Sequence, residues 1–171
     1  MSVTVMIPKE IGHIWVGPRP APLHWMASFR NTHPDWNYTL YDNQYLSCRR
    51  FRTQKQINEY MKRGEYAGVA DLMRCEILFE KGGFLPGADA ISRKNTDELW
   101  VQSCAYTVYE NEIVRPGLVS PILAAAPVNA FLESLITELE TIPFYRLGKA
   151  WRTTGNRFVA GMIERLNPKI I

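Results

Sequence analysis

Asp71 and Arg74 stand three residues apart inside an apolar-periodic stretch, 67–81. On a helix that spacing puts both side chains on one face. A carboxylate there can accept hydrogen bonds from hydroxyl groups, and a guanidinium can grip phosphate or carboxylate oxygens. The plainer outcome for such a pair is an intrahelical ion pair. Asp89 follows the turn-forming Pro86-Gly87. A carboxylate at a strand end can ligate a hard divalent cation such as Mn2+ or Mg2+, or it can be an ordinary turn residue. Nearer the N-terminus, His13 and Trp15 alternate with Ile14 and Val16. A core position is the common fate of such a tryptophan, and the histidine reads as a satisfied structural group or as a base. Glu112 lies in a polar segment, where a catalytic carboxylate and a loop glutamate look alike.

These residues depend on the elements that carry them. The apolar run 11–16, ended by Gly17-Pro18, predicts a buried strand. A short helix is predicted over 25–29, a turn at His33-Pro-Asp35 and a strand over 37–41, rich in β-formers. Residues 54–63 read as a polar, exposed helix. The next helix, 67–81, is the clearest element: Ala70, Met73, Ile77 and Leu78 recur at helical spacing, and Gly82-Gly83 supplies the stop. Phe84-Leu85 begins a strand that breaks at Pro86-Gly87. Further strands are predicted over 106–109 and 121–126, and closing helices over 130–139 and 155–166. Strands alternating with helices imply an α/β fold with a mainly parallel sheet.

The chain has 171 residues, 46% apolar and 22% charged, which suits one globular unit with its own core. No internal repeat or low-complexity segment divides it. No window approaches the roughly 18 consecutive apolar residues of a membrane-spanning helix. The N-terminal stretch, residues 1–9, lacks a basic segment followed by a long apolar run, so no signal peptide or membrane anchor is expected and the predicted location is the cytoplasm. Three cysteines (Cys48, Cys75, Cys104) are odd in number and widely spaced, which argues against a disulfide framework or a zinc site. The net charge of +3 suits a phosphate-bearing ligand without demanding one. No basic run suggests a nucleic-acid face, and the Arg49-Arg50 and Arg52 cluster reads as a solvated surface.

Three groups of segments carry a resemblance. The first is Ile7-Pro-Lys9 leading into His13-Ile-Trp-Val-Gly17, with Trp25 and the His33-Pro-Asp-Trp36 turn. The second is Ala70-Asp-Leu-Met-Arg-Cys-Glu-Ile-Leu78, followed by Gly82-Gly-Phe84 and Ala88-Asp89. The third is Asn111-Glu112, Ala124-Ala-Ala-Pro127 and Thr154-Gly155. In this order, over about residues 7 to 160, the chain resembles the family 32 glycosyltransferases with a DXD sugar-binding region. That group includes yeast initiating mannosyltransferases and shares its central motif with the glucosylating clostridial toxins.

The resemblance implies one GT-A (Rossmann-like) domain over residues 1–171, a mainly parallel sheet flanked by helices. It implies transfer of a hexose from a UDP- or GDP-sugar to an unknown glycan or protein acceptor, with retention at the anomeric carbon and with Mn2+ or Mg2+ as cofactor. Asp89 is then the metal ligand and, with Arg74, catalytic. Asp71 and Arg74 hold the donor sugar, Trp15 stacks on the base, and His13 and Gly87 stand on the donor side, with Glu112 on the acceptor side. Two departures are visible. Where the family has aromatic-x-Asp-x-Asp, this chain reads Leu85-Pro86-Gly87-Ala88-Asp89, so glycine replaces the first aspartate. The C-terminal Asn167-Pro-Lys-Ile-Ile171 lacks the His/Trp segment that completes the metal site in many relatives. These departures support a rival reading, a degenerate, non-catalytic binder of sugar nucleotides or glycans. A nucleotidyltransferase is a weaker third reading, because Gly17-Pro-Arg-Pro20 poorly matches a glycine-rich basic loop.

Overall fold

The helix that carries Asp71 and Arg74 is the centre of the molecule. A computed structural model describes residues 6–171, so residues 1–5 of the N-terminal stretch read for a signal peptide lie outside it. In chain order the elements are β1 (Glu10–Ile14), α1 (Leu23–Thr32), β2 (Asn37–Tyr41), α2 (Asn43–Ser47), α3 (Gln54–Arg63), α4 (Tyr66–Lys81) and β3 (Gly83–Phe84). They continue as β4 (Ala105–Tyr106), β5 (Tyr109–Asn111), β6 (Arg115–Val119), β7 (Ala124–Ala125), α5 (Ala130–Thr141), α6 (Ala150–Thr153) and α7 (Asn156–Leu166).

The main sheet has five strands in the order β2-β1-β3-β7-β4. β1 runs parallel to β2 and to β3, and β7 alone is antiparallel to its neighbours β3 and β4. The α/β fold with a mainly parallel sheet is therefore observed, with one reversed strand. The segment predicted as one strand over 106–109 divides. Its first residue pairs in β4, and Tyr109 opens a separate two-stranded hairpin, β5–β6. The predicted strand over 121–126 shrinks to β7, and α1 extends beyond 25–29 in both directions.

Helix α4 forms because its sequence is apolar on most of its surface. Val69, Leu72, Met73, Ile77 and Leu78 are all 0% exposed, between the sheet and α3 and α5. Its end is set by two glycines in the left-handed region, Gly82 at φ 69° and Gly83 at φ 105°. The Gly82 N–H donates to Leu78 O at 2.8 Å, and a Cβ on Gly83 would collide with the Glu10 carbonyl of β1. Glycine thus turns the helix straight into β3 beside β1. Glu76, buried on α4, accepts from the backbone N–H groups of Arg52 and Thr53 and from Thr53 Oγ1 at 2.7–2.9 Å, which ties the start of α3 to α4.

The other face of the sheet is a second apolar layer containing Ile11, Phe29, Trp36, Phe84 and Trp100. Trp36 Nε1 donates to Asp97 Oδ1 at 2.8 Å, and His33 Nε2 lies 2.7 Å from Thr96 Oγ1. These contacts anchor the chain that follows Asp89, so the His33-Pro34 turn is architectural. The arginine cluster is only partly a solvated surface. Arg52 pairs with Glu133 and Glu140 of α5, and Arg49 pairs with Glu80 at 2.6 Å. Cys75 and Cys104 are buried and Cys48 is exposed, all three as free thiols. Among the described residues no helix is long and apolar enough to cross a membrane.

Candidate functional site

One cleft, about 700 Å³ in volume, opens where β1 and β3 end against α4. β1 ends at Ile14, the Trp15 N–H still donates to Tyr41 O of β2 at 3.0 Å, and the Trp15 side chain lines the cleft. Its indole N–H donates to Arg19 O at 2.8 Å, which fixes the ring's plane. From α4 come Asp71 and Arg74, and from the loop after β3 come Gly87 and Asp89. Five of the seven residues singled out in the sequence therefore converge from three separate segments.

Asp71 and Arg74 form no ion pair with each other. Arg74 is 9% exposed, and its Nη1 donates to the Leu85 carbonyl, which ties the loop carrying Gly87 and Asp89 to α4. Among the described residues its buried Nε has no hydrogen-bond partner. Burial pulls the guanidinium's pKa down, opposed by Asp71, Cys75 and Asp89. Asp71 is half-buried, and its Oδ2 accepts from Thr154 Oγ1 at 3.0 Å. Burial pushes this carboxyl up to about 7, while Arg74 and Thr154 favour the ionised form. Near neutral pH Asp71 is thus poised between acceptor-only and donor-capable states.

His13 and Glu112 do not reach the cleft. His13 is 0% exposed and faces the opposite layer. Its Nδ1 lies 3.0 Å from Tyr38 Oη, and its ring meets Phe29 edge-on at 4.9 Å between centroids. Burial, helped by the Arg74 charge, pushes its pKa down to about 4, so the ring is neutral at pH 7. Glu112 is exposed in the turn between β5 and β6. Thr154 is the contributor that sequence reasoning missed. The Thr154-Gly155 pair was visible as a motif, but its contact with Asp71 spans 83 positions.

Whether these residues could hold a divalent cation turns on Asp89. It is exposed at the cleft, and among the described residues no three His, Cys, Asp or Glu side chains gather. A Cβ built on Gly87 would stand 2.7 Å from Asp89 Oδ1, so side chains at the two positions converge on one point. The chain offers one carboxylate there. That suits Mg2+ or Mn2+ only as one ligand beside phosphate oxygens and waters.

The fold and cleft belong to the α/β class in which a ligand sits beyond the carboxyl ends of parallel strands. Among solved structures, the chain is similar to one described as "PaToxG Glycosyltransferase", with a TM-score of 0.77 and 12% sequence identity, over 96% of this chain and 70% of that one. At that identity the likeness establishes a shared glycosyltransferase-like fold. No protein-family profile matches the chain, and no curated protein matches it.

Proposed function

We propose that this chain is a glycosyltransferase that moves a hexose from a UDP- or GDP-sugar to an acceptor hydroxyl, with retention of anomeric configuration. The observation that carries the reading is the convergence of Trp15, Asp71, Arg74, Gly87 and Asp89 on one cleft. The shared fold supports it.

In this reading Trp15 presents its ring to the nucleobase, held in plane by the bond to Arg19 O. Asp71 accepts hydrogen bonds from the sugar hydroxyls. Arg74 keeps the Asp89 loop against α4 and places a buried positive charge beside the forming diphosphate, where a low local dielectric strengthens it. Asp89 and the donor's phosphates would hold Mn2+ or Mg2+, which neutralises charge on the leaving diphosphate when bound. In this reading His13, buried in the opposite layer, makes no donor contact, and Glu112, expected on the acceptor side, lies in the hairpin turn outside the cleft lining.

The test is a screen of UDP- and GDP-sugars for donor hydrolysis with Mn2+, run beside thermal shift. Release of free hexose from one donor, lost in Asp89→Asn, supports the transferase. A ligand at about 100 times its dissociation constant should add roughly 2.7 kcal/mol of stability. The glycine at position 87 favours one alternative, a binder of the same ligands without turnover. Stabilisation without hydrolysis identifies it, and no shift with any compound removes both.

A further inference from the structure

The carboxylate of Asp71 is fixed from outside its own helix. Thr154 ends the single-turn helix α6 and is 1% exposed. Its hydroxyl has one proton and two acceptors in reach, Asp71 Oδ2 at 3.0 Å and Ala150 O at 3.2 Å. The carboxylate is nearer and, when ionised, the stronger acceptor, so the proton goes to Asp71. Thr154 is the only side chain hydrogen-bonded to Asp71 among the described residues. Gly155 completes the fit, because a Cβ there would stand 2.8 Å from the same Asp71 oxygen and 3.2 Å from Trp151 Cα. The corner between α6 and α7 is therefore shaped around one carboxylate oxygen. Among the described residues nothing donates a hydrogen bond to Asp71 Oδ1.

We infer that Thr154 is a positioning residue, holding Asp71 Oδ2 so that Oδ1 is presented to the hydroxyls of the donor sugar. The inference rests on the donor-site reading above. It gives the C-terminal corner a role in donor recognition, and it explains why that corner is Thr-Gly. The groups around the carboxylate bear on the outcome. Arg74 on α4 carries positive charge; Tyr60 on α3 and Cys75 on α4 are neutral near pH 7; the α6–α7 corner brings no charge of its own. Burial raises the Asp71 pKa, while Arg74 and then Thr154 oppose it, so losing the hydroxyl moves the titration further up.

The experiment compares Thr154→Val, which keeps shape and loses the hydroxyl, with Thr154→Ser, which keeps the hydroxyl. The first readout needs no donor. Asp71 titration is taken from the pH dependence of unfolding stability in each background, measured against the same background carrying Asp71→Asn. The second is KM and kcat for donor hydrolysis. Thr154→Val should shift the Asp71 midpoint upward and raise donor KM about tenfold, the loss of one hydrogen bond to a charged group. Thr154→Ser should restore both. An unchanged midpoint in Thr154→Val overturns the inference, as does a Thr154→Ser protein that behaves like Thr154→Val, since that outcome marks a packing role. If Thr154→Val does not fold, Thr154→Ala against Thr154→Ser decides by the same two criteria. If no donor is turned over by any variant, the donor-site reading fails, while the titration still shows whether Thr154 holds the carboxylate.

Discussion

At the scale of single residues, Gly87 is the departure with the sharpest consequence. Its φ lies outside the left-handed region, so an L side chain is compatible with this backbone, contrary to what a turn after Pro86 suggests. The only obstacle to a Cβ is the Asp89 carboxylate, a flexible side-chain end on an exposed residue. Gly87→Asp should therefore fold, turn Asp89 aside and create paired carboxylates. Tighter Mn2+ binding by calorimetry is the expected result, and unchanged affinity would show that position 87 is not the place of a second ligand. Asp71 carries a pH prediction. Its folded pKa of about 7 lies above the ordinary carboxylate value, so its contribution to stability is full below about pH 4 and is lost as pH rises through 7. Asp71→Asn should gain stability relative to wild type across pH 5–7, by at most about 1.4 kcal/mol per pH unit. Parallel stability curves for the two proteins would contradict this. That Arg74 shares a helix face with Asp71 was legible from their spacing. The bond of Arg74 to the Leu85 carbonyl was not, because that partner is fixed only once β3 lies beside α4. Arg74→Ala should loosen the Asp89 loop by removing that bond, so it is not a neutral probe of ligand binding in the cleft.

Among the elements, α4 was readable because its periodicity and its double glycine agree with its packing. The bounds of β2 and α3 were also correct, but α3, read as an exposed helix, buries Gln56, Ile57 and Tyr60 along one face. The short strands β3, β4 and β7 were not delimited correctly. Two-residue strands are set by pairing with neighbours, and nothing in a local window specifies where such pairing stops. The hairpin β5–β6 and the Glu76 tie were missed for a related reason. Glu76 sits in the most apolar helix of the molecule with no local signal that its partners lie 23–24 residues earlier. Removing it orphans three buried or half-buried donors. Glu76→Ala should cost about 2–3 kcal/mol in denaturant unfolding, more than loss of a surface pair such as Lys94–Glu98, which should cost less than about 1 kcal/mol. Equal costs for the two would mean that the α3–α4 tie is not formed in solution.

For the molecule as a whole, the α/β architecture was legible from alternating strands and helices, and the single reversed strand β7 was not. The order of segments brings Trp15, Asp71, Arg74, Gly87 and Asp89 to line one cleft. His13 lies in the opposite layer against Tyr38 and Phe29, and Glu112 in the turn of the β5–β6 hairpin. The cleft's chemistry pairs an aromatic wall with a buried guanidinium and an exposed carboxylate, which suits a nucleotide base at one end and phosphates at the other. The most direct measurement is titration calorimetry of UDP and of GDP, each with Mn2+, into wild type and Trp15→Ala. Base stacking on an aromatic side chain is worth about 1–3 kcal/mol, so one nucleotide should bind to wild type and bind Trp15→Ala at least about fivefold more weakly. Failure of both nucleotides to bind, or binding that Trp15→Ala leaves unchanged, would contradict a nucleotide-sugar site in this cleft.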